Sequence, residues 1–165
     1  MAKLLAIYIS PNHNFFGHHG KEAGRAPMVL LDEAQCIAGA GIEGDRFFSW
    51  KDDYKGQITF FAQESYQALC KRLKIDDRQP DVLRRNIITQ GIDLPSLIGR
   101  RFRIQDVVFE GSEEAKPCYW MNQAFGEGAE QALSGQGGLR ARILEGGTLR
   151  TGAAELELLE SDTGS

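Results

Sequence analysis

The period of the apolar positions changes along this chain, and the changes mark its elements. Leu4 to Ile9 is a continuous, β-rich apolar run that predicts a first strand buried on both faces and ended by the turn pair Pro11-Asn12. Pro27 to Leu31 predicts a second short strand, with Asp32 and Glu33 turning the chain before Ala34 to Ala38. Gln57 to Phe61 reads as a strand. From Gln63 to Leu73 the apolar residues Tyr66, Leu69, Cys70 and Leu73 recur at helical spacing, which predicts a helix with Cys70 on its buried face. Ile75 to Pro80 is a polar linker, and Asp81 to Leu83 lead into an extended segment, Arg84 to Thr89. Phe102 to Glu110 predicts one strand, bulged near Asp106 where the alternation slips. Gly126 to Ser134 predicts a short helix, Leu139 to Leu144 alternates as a strand, Glu145-Gly146-Gly147 is a turn, and Ala154 to Leu159 is a last strand exposed on one side. About eight or nine short strands, two or so short helices and no strand-helix-strand rhythm predict a mainly β (α+β) fold, an antiparallel β-barrel.

Composition narrows the class. At 165 residues, 42% hydrophobic and 25% charged, the chain suits a single domain over residues 1–165; a chain of this size buries about 70% of its unfolded surface. A net charge of −4 excludes long-range attraction to nucleic acid or an anionic membrane. Three cysteines, at 36, 70 and 118, form no Cys-x-x-Cys pair, which points to a reduced, cytoplasmic protein. The N-terminal apolar run stops at Pro11, too short to span a membrane.

Candidate chemistry gathers in a few stretches. Lys116 lies two residues before Cys118, and a nearby ammonium favours the thiolate, the form that attacks electrophiles or binds a soft metal. A cysteine packed as a small hydrophobe is the competing reading. His13, His18 and His19 fit no helix or strand face and read as loop residues. Gly39 to Arg46 holds three glycines and ends in the adjacent charges Asp45 and Arg46; no helix pattern follows, so a nucleotide loop is not indicated, and a capped hairpin and a ligand-facing loop both remain open. Arg84 and Asn86 share one side of an extended segment and Arg85 takes the other, a group suited either to anion recognition or to surface ion pairs. Arg140 and Arg142 point the same way about 7 Å apart along a strand, and need an anion, a carboxylate or water between them.

Four blocks occur in the order seen in MOSC domains: Gly41 to Arg46; Arg84 to Ile87 with Gly91 to Leu94 and Leu97-Ile98-Gly99; Pro117-Cys118; and Gly138 to Leu144 with Gly146-Gly147. The chain resembles this family, whose members are similar to the C-terminal part of molybdenum cofactor sulfurases, from about Arg25 to Gly152. The resemblance implies a β-barrel that binds the molybdopterin form of molybdenum cofactor. It implies that Cys118 ligates molybdenum or carries sulfur, and that Arg25, Asp45, Arg46, Arg84, Arg85, Asn86, Arg140 and Arg142 fall in cofactor-lining blocks. Two departures stand out: Gly152-Ala153 where Gly-Asp is frequent, and Phe47 where histidine is common. The implied activity is that of a small molybdenum oxidoreductase acting on N-hydroxylated compounds. Its partners would be the pterin cofactor and an external electron donor. The alternatives are a sulfur carrier with a Cys118 persulfide fed by a sulfur donor protein, and a non-catalytic binding module. No pyridoxal phosphate is expected in this chain.

Overall fold

The computed structural model describes residues 2–10, 29–45, 47–50, 53–74, 85–115, 128–133 and 135–159. Two sheets carry the fold. The larger runs in the order β11, β1, β6, β5, β9, β8, β7, β12, with β2 also paired to β1. Its strands are β1 (Lys3–Ile9), β2 (Val29–Leu31), β5 (Ile58–Ala62), β6 (Ile87–Gln90), β7 (Arg101–Ile104), β8 (Val107–Glu114), β9 (Leu139–Glu145), β11 (Gly152–Ala153) and β12 (Leu156–Leu159). The smaller sheet joins β3 (Glu33–Ile37) to β4 (Gly41–Ile42) and to β10 (Gly147–Arg150).

Among the described strands the ladders are antiparallel except at one place, where β5 and β6 run parallel. The reason is local: helix α1 (Gln63–Leu73) lies between these two strands in sequence, and a parallel pair needs such a crossover. The sheet is therefore mixed, which corrects the purely antiparallel expectation and the absence of a strand-helix-strand unit. No ladder among the described strands joins the two ends of the path, so a closed barrel is not seen.

Each face of the large sheet has its own fate. One face builds the main core from Ile7, Ile58, Phe60, Ile87, Phe102, Phe109, Leu139 and Ile143, covered by Ala34, Cys36 and Leu149 of the small sheet. Three rings interlock there: Phe109 lies 5.3 Å from Phe60, edge to face, and 5.3 Å from Phe102, stacked. On the opposite face Phe61 and Ile88 pack with Leu69 of α1 and with Leu133, just after the four-residue helix α2 (Ala129–Ala132). Phe60-Phe61 and Ile87-Ile88 thus serve two cores, and β5 and β6 are the strands buried on both sides.

β1 is not buried on both faces: Leu4 and Ile7 are buried while Leu5 is 40% exposed. A bulge between Leu4 and Ala6 lets two residues three apart share the core face. The helix over 63–73 has the predicted bounds, but Leu69 is its buried residue and Cys70 is half-buried against the second core. Gln105 and Asp106 are not a bulge. They form a two-residue turn between β7 and β8, with Ile104 paired to Val107 and Gln105 at φ 56°. β10, read as turn residues around Leu149, pairs with β3 from Gly147 to Arg150. No helix among the described residues is long and apolar enough to cross a membrane.

Candidate functional site

Asn86 sits where β6 begins and is almost wholly buried, so each polar atom of its side chain needs a partner. Its Oδ1 accepts from the backbone N–H and the hydroxyl of Thr59, at 3.0 and 3.1 Å. Its Nδ2 donates to the Tyr8 carbonyl at 3.0 Å and to Asp45 Oδ1 at 3.4 Å. The Asn86 N–H in turn donates to Thr59 Oγ1. β1, β5, β6 and the turn after β4 are thereby tied at one buried point.

Asp45, also buried, extends this knot outward. Oδ1 accepts from the Ser10 N–H at 2.9 Å, and Oδ2 from the Phe47 N–H at 3.3 Å. Asp45 thus caps a turn, as one of its two sequence readings had it, and at the same time holds Ser10, the residue from which the 11–28 segment departs.

Arg85 does the same for another segment. Its Nε donates to the Gly137 carbonyl and its Nη2 to the Ala115 carbonyl, both at 2.9 Å. Gly137 N–H reaches back to Glu114 Oε2 at 3.2 Å. The end of β8 and the turn before β9 are clamped side by side, three residues ahead of Cys118.

Arg140 and Arg142 lie together on the outward face of β9, as the alternation required, and carboxylates relieve their repulsion. Arg140 Nη1 meets Glu113 Oε1 at 3.1 Å, and its guanidinium carbon stands 5.9 Å from the centre of the Tyr54 ring. Arg142 Nε meets Asp53 Oδ1 at 2.9 Å and its Nη1 lies 3.9 Å from Glu110. Lys55 Nζ adds a second cation to Glu113 at 3.4 Å, and the Ser112 hydroxyl bonds the Lys55 carbonyl. Together these contacts strap residues 53–55 onto β8 and β9. Burial works to raise the pKa of Glu113, but the hydrogen bond from Arg140 and the Lys55 charge outweigh it and leave the carboxyl below its ordinary range.

The strapped loop is aromatic. Phe47 contacts Trp50 edge-on at 5.8 Å and Tyr54 at 5.6 Å. Ser49 and Asp53 hold positive φ of 53° and 51°, which side chains adopt at a cost.

Of the sequence candidates, Asp45 and Asn86 touch, Thr59 joins Asn86 to the register partner Arg140, and Arg85 and Arg142 flank them. Cys118, Arg25, Arg46, Arg84 and the three histidines lie outside the described residues. Among the described residues no group of three His, Cys, Asp or Glu side chains is placed to hold a metal ion. Burial raises the Cys36 thiol to about 12, which makes it inert.

Sequence reasoning missed Thr59, Tyr54 and Glu113. Thr59 had a signal, a polar β-branched residue inside an otherwise apolar strand; the other two are joined to the site only by strand register.

The MOSC domain family model matches residues 18–155, most of the chain. The chain belongs to the MOSC domain family. No curated protein matches it. Solved structures give the same fold at low identity. The YuaD protein from Bacillus subtilis superposes with TM-score 0.72 at 19% identity, covering 96% of this MOSC domain and 96% of that chain. YiiM from Geobacillus stearothermophilus gives TM-score 0.71 at 15% identity, over 97% and 76% of the two chains. YiiM from Escherichia coli gives 0.64 at 18% identity, over 96% and 70%. At such identities the likeness speaks for the fold alone.

Proposed function

We propose that this MOSC domain binds molybdenum cofactor of the molybdopterin type, with Cys118 as the protein's ligand to molybdenum. The observation that carries the reading is convergence. Asp45, Asn86 and Arg140 come from three separate family blocks: Asp45 touches Asn86, and Thr59, which bonds Asn86, is the register partner of Arg140, while Asp45 and Arg85 hold the residues from which the segments bearing Arg25 and Cys118 depart.

The donor set fits such a group in chemical type. A thiolate is a soft ligand that completes a sulfur and oxo coordination sphere. A phosphate suits arginine forks, and the present partners of Arg140 and Arg142 are carboxylates, which offer guanidinium the same bidentate oxygens. Asp53 is 82% exposed and can swing away from Arg142; Asn86 has its polar atoms fully engaged and would act by holding the pocket rather than by binding. Molybdenum held at Cys118 supplies two-electron redox chemistry. The oxidoreductase reading, with N-hydroxylated compounds as substrates, calls for an external electron donor.

We also read the large sheet as barrel-like. β11 and β12 stand at opposite ends of the strand path, yet only Ala154 and Glu155 separate them in sequence, which supports a sheet curled until its edges come close. The free thiols Cys36 and Cys70 suit a cytoplasmic setting.

Metal analysis, pterin fluorescence and the mass of the Cys118 peptide test the functional reading. Molybdenum with pterin supports it. One added sulfur on Cys118 without metal would replace it with sulfur carriage.

A further inference from the structure

Two guanidiniums lie side by side on β9 with most of their donors unused. Arg140 Nη1 donates to Glu113 at 3.1 Å and Arg142 Nε to Asp53 at 2.9 Å. The nearest Glu110 oxygen stands 3.9 Å from Arg142 Nη1, an ion-pair contact beyond hydrogen-bond reach. A guanidinium carries five N–H donors, so most of both forks meets no acceptor among the described residues.

The two carboxylates that face them are held unequally. Glu113 is gripped from two sides, by Arg140 and by Lys55 Nζ at 3.4 Å. Asp53 is held through one oxygen by Arg142 alone, and its side chain is 82% exposed. It stands at φ 51°, in the left-handed region that aspartate and asparagine enter more readily than other side chains. An exposed ion pair with one point of contact is weak, because water competes for both partners. With Asp53 turned away, Arg142 keeps only the Glu110 carboxylate, which Arg101 shares at 3.6 Å. A positive charge is then left at a fork whose shape suits a bidentate oxyanion.

We propose that Asp53 is a built-in placeholder for a phosphate group. The phosphate takes its place on Arg142, with the unused N–H groups of Arg140 alongside, and Asp53 turns out to solvent. Glu113, held by two cations, stays where it is. Toward the cofactor, Asp53 thereby becomes a competitor that limits how tightly the phosphate end is held. That last step rests on the cofactor reading; exchange of Asp53 for free phosphate does not.

The test is titration of the full, cofactor-free chain with inorganic phosphate against chloride at constant ionic strength and pH 7, followed by NMR of the backbone amides and the arginine Nε–H groups. Phosphate is expected to shift the Arg142 Nε–H and the Asp53 amide saturably, with a midpoint on the order of 10 mM. Relaxation of the Asp53 amide should show greater picosecond-to-nanosecond motion at saturation, because its side chain has been released. Asp53→Asn keeps the tolerance of positive φ but removes the competing charge, so its midpoint should fall about two- to fivefold, the strength of an exposed pair. Arg142→Gln should abolish saturation while the rest of the spectrum reports an intact fold. Equal midpoints in the native chain and Asp53→Asn, an Asp53 amide as rigid with phosphate as without it, undiminished binding to Arg142→Gln, or the same shifts from chloride alone would overturn the proposal. Displacement of Asp53 by phosphate in a chain that takes up no cofactor would uphold the exchange and remove only the cofactor step.

Discussion

Arg85 holds the backbone carbonyl of Ala115 at 2.9 Å, and so fixes the chain three residues before the only cysteine that the family resemblance implicates. The other arm of the same guanidinium holds Gly137, which makes Arg85 a two-loop clamp. Arg85→Ala should lower stability by about 2–3 kcal/mol, since two charge-assisted bonds to half-buried carbonyls are lost. It should also change the alkylation rate of Cys118. Lysine, a point donor in place of a fork, should restore only part of both. Denaturant unfolding and iodoacetamide kinetics measure the two effects; an unchanged thiol rate in Arg85→Ala would remove its positioning role.

Asn86→Ala should cost about 3 kcal/mol, because the Thr59 N–H, the Tyr8 carbonyl and Asp45 all lose a buried partner. Asn86→Asp sets a second carboxylate against Asp45, so its defect relative to the native chain should be larger at pH 7 than at pH 4. Urea midpoints at the two pH values decide this, and a defect independent of pH would contradict the Asp45 contact.

Gly138 and Gly152 separate steric overlap from backbone strain. Both have positive φ, 111° and 117°, but a Cβ on Gly138 would lie 2.2 Å from the Phe60 carbonyl oxygen, whereas one on Gly152 meets nothing within 4 Å. Gly152→Ala is expected to cost about 1 kcal/mol and Gly138→Ala about 3 kcal/mol or more. Equal midpoints for the two variants would mean that β9 does not press on β5 at this point.

Glu113 gives a pH test with a defined sign. Its folded pKa lies below the ordinary value of 4.5, so the stability it contributes is complete above that value and is lost as pH falls through the folded one. Arg140→Gln should therefore lower the melting temperature at pH 7, modestly because the pair is about one-third exposed, and the difference should shrink as pH falls through the lowered pKa of Glu113. A difference that grows toward acid would contradict the pairing.

Much of this fold is legible in local pattern, and the errors have physical causes. The helix over 63–73 and the strand over Leu139–Leu144 are carried by period alone, so the structure repeats them. The β7 to β8 turn is hidden because Gln105 takes positive φ without glycine, and Leu5 escapes burial because a bulge resets the alternation of β1. The parallel pairing of β5 and β6 depends on contacts between distant segments that no window contains. At the site, residue types pointed to Asp45, Asn86 and the arginines. Their carboxylate partners Asp53 and Glu113 come to them through loop closure and strand register, which sequence spacing does not record.

The most direct measurement of the central claim is the molybdenum and oxidised-pterin content of the chain purified from a host that makes the cofactor, with Cys118→Ser alongside and its fold checked by circular dichroism. The account predicts near-stoichiometric molybdenum and pterin in the native chain and loss of the metal in the variant. Absence of metal and pterin from the native chain, or full metal retention in a folded Cys118→Ser, would contradict it.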